Sequence, residues 1–258
     1  MLRLVTIPIS HYCEKARWAL ERAGLEYREE RHVQGIHRLA ARRAGGDVTV
    51  PVLVTSAGAI GDSAEILAWV DEHTASERRL FPSDRGERLD VEALCRRFDE
   101  RLGPSGRRLI YVHMFAQREL MLRFNNQGVP AWEDRVMRAG LPLFMGLVRH
   151  VLEIRPGVEV QDEAQVWSEF DHAAGLLDDG RRYLCGERFG AADLTFAALC
   201  APVVLPATYG VALPQPEMLD EPTAALVERA RAHPAGAFAL RVIAEHRRAT
   251  AGPPLPVA

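Results

Sequence analysis

Residues 10 to 13, Ser10-His11-Tyr12-Cys13, place a hydroxyl and a thiol at the ends of a four-residue step, directly ahead of a helical pattern. That is the spacing of a dithiol redox turn with its leading cysteine replaced by serine. Both side chains would feel the positive end of the following helix, where free backbone N–H groups stabilise an anion. Two chemistries are open. Cys13 could exchange disulfides, although it stands where such a turn keeps its resolving cysteine and not its attacking one. Ser10 could instead donate a hydrogen bond to a sulfur that arrives with a ligand, steadying the thiolate, which is the reactive form of a thiol. The plainer readings are a core-facing Cys13 and a Ser10 that only caps the helix. His11 and Cys13 could ligate a metal, but no further ligand cluster joins them, so no metal is expected.

The elements that must hold this turn alternate between strand and helix over the first 75 or so residues. "LRLVTI" reads as a short buried strand. Cys13 to Ala23 reads as a helix with Ala16, Ala19, Leu20 and Ala23 on one face and Gly24 as its stop. "EYREERHV" makes a second strand, and an irregular basic helix runs from about Gly35 to Ala44. "VPVLV", the turn "SAG" and "AIGD" then form a hairpin. Ser63 or Asp62 caps a helix carrying Ile66, Leu67, Trp69 and Val70 on its apolar side. "SERRLFPSDRGER", residues 76–88, has linker composition. Beyond it the period is helical: Val91, Leu94, Cys95, Phe98 and Leu102 form one stripe, and Val166, Phe170, Ala173, Ala174 and Leu177 another. Pro130, Gly140 and Pro142 break the helical stretch from Ile110 to Leu152. The expected fold class is a small α/β domain followed by a larger all-α domain.

Composition narrows the function classes. Net charge is −3, which gives no electrostatic reason to expect nucleic acid as a partner. The arginine groups Arg38, Arg42, Arg43 and Arg107, Arg108 read as solvated surface. Cys13, Cys95, Cys185 and Cys200 show no metal-clip or redox-pair spacing, which suits reduced thiols in a cytosol. "MLRLVTIPIS" reaches a proline and a polar turn before any apolar run of signal-peptide length, so a cytoplasmic setting is expected. The uncharged stretch from Leu194 to Leu213 is broken by Pro202, Pro206 and Gly210 and reads as a helix buried all round, not a membrane span.

Three stretches together resemble the cytosolic glutathione transferase superfamily: "SHYCEKARWAL", "VPVLV" followed by "GDSAEIL", and "FGAADLTFAAL". The resemblance spans nearly the whole chain. It implies a thioredoxin-like glutathione-binding domain over residues 1–76, a linker at 77–87, an all-helical bundle at 88–248 contributing an electrophile pocket, and a proline-rich tail at 249–258. It further implies a homodimer, glutathione as co-substrate, and conjugation of its thiolate to a small hydrophobic electrophile.

By the same resemblance Ser10 carries the thiolate-stabilising hydroxyl of serine-type members. Val50, ahead of a cis Pro51, pairs with the peptide backbone as with a guest strand. Ser63 and the helix N-terminal amides take the γ-glutamyl carboxylate while Asp62 approaches the amino group; most relatives have Glu or Gln where Asp62 stands. His37 lies about where a cation meets the glycine end, with Arg38 and Arg42 as competitors. In "FGAADLTFAAL", Gly190 stands where relatives carry Ser or Thr as N-cap, and Asp193 reads as structural. Tyr111, Met114, Phe115 and Phe124 suit an adaptable apolar pocket and equally suit a core. Tyr12 is a further hydroxyl beside the turn, out of place for that role. The rival functions are a glutathione-dependent oxidoreductase working through Cys13 and a non-catalytic binding protein on the same scaffold.

Overall fold

β1 (Leu2–Thr6), the apolar run near the start of the chain, is the pivot of a four-stranded sheet ordered β2-β1-β3-β4. β2 (Tyr27–Arg31) runs parallel to it, while β3 (Val52–Thr55) pairs antiparallel with β1 and with β4 (Gly58–Ile60). The computed structural model describes residues 1–247, and the tail expected at 249–258 lies outside them. In the β1/β3 register Leu4 faces Leu53 and Val5 faces Val52, and the period-2 alternation sends the two pairs to opposite sides. Leu4 and Leu53 pack with α1 (His11–Ala23) and α3 (Ser63–Glu72), through Ala16, Leu20, Ile66, Leu67 and Val70. Val5 and Val52 pack with Ala41 of α2 (His37–Arg43) on the other side. The parallel crossover thus carries α1, which brings its N-terminus to the end of β1.

α4 (Arg85–Arg97) begins three residues inside the segment read as linker, because Asp84 caps it by accepting from the Glu87 N–H at 2.9 Å. It continues through a π-helical turn, Phe98–Leu102, into α5 (Gly103–Met114). α9 (Val158–Leu177), α10 (Ala191–Val204), α11 (Glu221–Ala232) and α12 (Pro234–His246) complete the bundle. α10 is buried on every side, and among the described residues no helix is long and apolar enough to cross a membrane. Asp193 accepts from the Gly190 and Leu184 N–H groups, each at 2.8 Å. A Cβ at Gly190 would stand 3.0 Å from the Leu80 carbonyl oxygen, which accounts for glycine at this N-cap.

Between α5 and α9 the chain builds a separate roof of α6 (Arg118–Asn125), α7 (Ala131–Ala139) and α8 (Leu141–Val151). Its own small core of Met121, Leu122, Met137, Phe144 and Met145 also takes in Val33 from the first domain. Buried Glu133 of α7 locks the two together, accepting from the Val33 N–H at 2.9 Å and lying 2.7 Å from His32 Nδ1.

Candidate functional site

The end of β1, the α1 N-terminus, the loop before β3, α5 and the roof enclose a cavity of about 380 Å³. Ser10, Tyr12, His37, Arg38 and Val50 line it from the first domain, and Arg107, Tyr111, Met114, Phe124 and Phe144 from the second. That volume lies in the range of small-molecule sites. Phe115, grouped with the pocket residues by sequence, packs in the roof core instead.

Ser10 is the α1 N-cap, with extended backbone, and its Oγ accepts from the Cys13 N–H at 3.4 Å. Ser10 is half-buried on the cavity wall, and its hydroxyl also acts on the Cys13 thiol beneath it. Cys13 shares the cap but not the cavity: it is 0% exposed, and burial pushes its thiol up to about 11 against the pull of Arg17 and Ser10. The Tyr12 hydroxyl donates to the Asp99 carbonyl at 2.7 Å, and burial raises its pKa further, so it is committed to the domain seam. A Cβ at Gly103 would overlap that hydroxyl, so this crossing of α1 and α5 requires glycine.

The turn is held from beneath by charges that the sequence reading did not single out. Glu14, Lys15 and Arg17 are all at most 1% exposed. Arg17 donates to the Pro8 and Ile7 carbonyls at 2.8 and 3.2 Å, fixing the loop that carries Ser10, and pairs with Glu29 at 2.6 Å. Burial alone would raise the Glu29 carboxyl, but Arg17 and Arg31 outweigh it and hold it at about 2. Glu14 accepts from Arg17, from Arg247 and from the Gly210 N–H, tying α1 to two distant parts of the helical domain. Lys15 pairs with Asp99 at 2.7 Å. Their partners lie as far as 233 residues away, so helical period alone could not reveal them.

Of the other singled-out residues, Val50 lines the cavity and its bond to the buried Pro51 is cis. His37 lines it too, with Nδ1 accepting from the Gly35 N–H at 3.0 Å. Burial, then Arg38, pull His37 down to about 4, so at neutral pH it offers a donor and no charge. The positive charge at this rim belongs to Arg38, which is exposed. Asp62 and Ser63 begin α3 but do not line the cavity. Asp62 Oδ1 accepts from the Ala64 and Glu65 amides at 2.7 and 3.3 Å, so the chain's own carboxylate occupies two of the amides read from sequence as free for a ligand.

Three cavity residues had no such role in the sequence reading, which weighed His11 only as a metal ligand, read Arg107 as solvated surface and did not single out Gln34. His11 Nε2, Gln34 Oε1 and Arg107 Nε are buried polar atoms without a hydrogen-bond partner, and all three residues line the cavity. Burial, then the Arg107 charge, bring His11 down to about 3, against a weaker opposing hydrogen bond to Gly103, leaving a neutral ring. Among the described residues no group of His, Cys, Asp and Glu is placed to hold a metal.

Residues 4–78 match the family model described as the N-terminal domain of glutathione S-transferase. No curated protein matches the chain. A glutathione S-transferase structure from Rhodospirillum rubrum is 21% identical with a TM-score of 0.53, the match covering 99% of this chain and 95% of that one. One from Xanthobacter autotrophicus is 18% identical with a TM-score of 0.56, covering 99% and 96%. A theta-class glutathione S-transferase from Xanthomonas axonopodis, solved with glutathione bound, is 17% identical with a TM-score of 0.54, covering 93% and 96%.

Proposed function

Because the chain has the fold of the cytosolic glutathione transferase superfamily, its residues 4–78 matching the glutathione S-transferase N-terminal domain, we propose that it is a serine-type glutathione transferase acting on small electrophiles. The observation that carries this reading is the division between Ser10 and Cys13. The hydroxyl stands on the cavity wall at the α1 N-cap, and the thiol is sealed in the core.

The wall residues suit the tripeptide. Val50 lies beside the cis peptide for backbone pairing, and Arg38 supplies charge at the rim with His37 as a neutral donor. Ser63 and Asp62 begin α3 for the γ-glutamyl end. With Asp62 Oδ1 already on two amides, that end would rely on Ser63 and on the remaining Asp62 oxygen. Bound glutathione supplies the thiolate that forms the new C–S bond as the leaving group departs with its electron pair. Ser10 donates its hydrogen bond to that sulfur from the positive end of α1, which lowers the cost of losing the thiol proton to water. The apolar roof residues exclude water from the electrophile's side.

Ser10→Ala is expected to lower kcat/KM for conjugation of chlorodinitrobenzene by about 10²- to 10³-fold and to move the pH profile upward by about one unit. Cys13→Ala should retain conjugation. Unchanged conjugation in Ser10→Ala, with disulfide reduction lost only in Cys13→Ala, would transfer the role to the oxidoreductase. No glutathione binding by calorimetry and no activity would leave a non-catalytic scaffold. A homodimer in the cytoplasm completes the proposal, checked by sedimentation and by fractionation of the host cell.

A further inference from the structure

Arg107 and Arg108 are neighbours on α5 with opposite fates. Arg108 is gripped by both Asp162 oxygens, with Nε at 2.8 Å and Nη2 at 2.5 Å. Arg107 lines the cavity, its Nε is buried without a partner, and no hydrogen bond or ion pair reaches it among the described residues. The cavity lining contains two arginines and no carboxylate, and the other, Arg38, sits exposed at the rim. A guanidinium cannot shed its proton, and a partly buried one without a counter-charge is costly. The chain matches its other buried arginines, Arg17 and Arg247, with Glu14.

Tyr111 stands one helical turn beyond Arg107, on the same side of α5, and also lines the cavity. Its hydroxyl accepts from Gln34 Nε2 at 3.0 Å, which leaves its proton to donate. Burial raises its pKa, so the donor stays protonated. A charged and a neutral donor therefore stand together on a wall that is otherwise Ile110, Met114 and the roof side chains Phe144 and Val148. The Arg107 charge is felt at both His11 and Tyr12, the two residues that follow Ser10, so this polar spot lies toward the reacting end of the cavity.

We propose that Arg107, assisted by the Tyr111 hydroxyl, binds an anionic group carried by the electrophile, so that the preferred second substrate is a small apolar molecule bearing a carboxylate or similar oxyanion. This rests on the transferase reading of the same cavity. The apolar body lies against α5 and the roof, the oxyanion on Arg107, and the electrophilic carbon within reach of the sulfur at Ser10.

The test compares chlorodinitrobenzene with its ring-carboxylated analogue, chlorodinitrobenzoate. A hydrogen bond to a charged group sets the scale, and the wild-type protein is expected to favour the carboxylate by about ten- to hundredfold in kcat/KM, corrected for intrinsic reactivity. Arg107→Met should bring that ratio near one, Arg107→Lys should keep part of it, and the glutathione KM should hold within about threefold in both, a change too small to signal a lost charged contact. Calorimetry with unreactive dinitrobenzoate, in the absence of glutathione, reads the anion site directly. Wild-type binding that Arg107→Met abolishes supports the site even if neither electrophile is conjugated, the result that would sink the transferase reading alone. Equal losses on both electrophiles with a raised glutathione KM would assign Arg107 to glutathione and overturn the proposal. So would a ratio indifferent to Arg107, or dinitrobenzoate binding that survives Arg107→Met.

Discussion

Two regions of the molecule handle buried polarity in opposite ways. Around α1 and the seam between the domains the charges are matched: Glu14 with Arg17 and Arg247, Arg17 with Glu29, Lys15 with Asp99, and buried Glu133 with the Val33 amide and His32. In the cavity, His11, Gln34 and Arg107 each leave a buried polar atom unpartnered, and no carboxylate appears among the lining residues. A fold selected only for stability would pair or remove such groups. Three unmatched polar atoms in one cavity are what a site completed by a ligand would show. The seam should therefore respond to mutation through stability, and the cavity through binding.

Glu14→Ala is the largest test of that contrast. It removes the carboxylate shared by Arg17, Arg247 and the Gly210 N–H, all within the interior. Glu29 and Glu21 still face the two arginines, yet the α1-to-helical-domain tie is gone. Breaking a buried ion pair from one side costs about 3–5 kcal/mol, which urea unfolding would read as a lower midpoint at unchanged slope. A loss below about 1 kcal/mol would show the seam to be no different from a solvated surface.

Acid gives the next effect, and here the cavity side fails first. His11 is neutral in the fold at a pKa of about 3, held down by burial and then by Arg107, while an unfolded histidine titrates near 6.5. Between those values the unfolded chain binds a proton that the folded chain does not. The contribution is therefore complete above about pH 6.5 and drains away as the pH falls toward about 3, amounting to about 2 kcal/mol by pH 5. His37, lowered to about 4 by burial and Arg38, acts in the same direction. Asp193 opposes both: burial lifts it to about 6 against its backbone donors, so protonating it favours the fold. The readout is thus the difference between wild type and His11→Phe in unfolding free energy at pH 7 and pH 5. Parallel pH dependence in the two proteins would mean that His11 is not held neutral.

The local backbone of the first domain was legible because its signals are short-range. The "VPVLV" run, the "SAG" turn, the Ser63-or-Asp62 cap and Gly24 at the end of α1 each act within a few residues; Gly24 and the cap, which falls to Asp62, stand where expected, and the hairpin is present with its strands shifted by one or two residues to Val52–Thr55 and Gly58–Ile60. Ser10 was legible as a candidate because capping and chemistry ask for the same hydroxyl at the same place. Illegible were the side chains whose meaning depends on distant partners. Alanine and leucine marked one face of α1 as apolar, yet Glu14, Lys15 and Arg17 are buried on its other sides, against residues up to 233 positions away. Pro130, Gly140 and Pro142 marked breaks around α7 and α8, but not the break between α5 and α6, nor the roof's closure over the cavity, which depends on Glu133 reaching Val33. The pair Arg107, Arg108 read as one solvated patch. Consecutive residues on a helix point about 100° apart, and only the placement of α9 and α1 decides which arginine meets a carboxylate.

That pair supplies the smallest and sharpest comparison. Removing Arg108 in Arg108→Met leaves the Asp162 carboxylate, 2% exposed, without its bidentate partner. Because the arginine itself is 28% exposed, solvent screens part of the interaction and the expected loss is about 1–2 kcal/mol. Arg107→Met deletes a charge with no partner and leaves an unbranched apolar chain on an apolar wall, so unfolding free energy should stay within about 0.5 kcal/mol of wild type or rise slightly. Urea unfolding of the two variants side by side decides the matter. Equal losses would mean that Arg107 has a structural counterpart, and the division between a matched seam and an unmatched cavity would collapse at its clearest point. A loss in Arg108→Met alone leaves the Arg107 charge with no stabilising role in the free protein, which is the condition an anion-binding group has to meet.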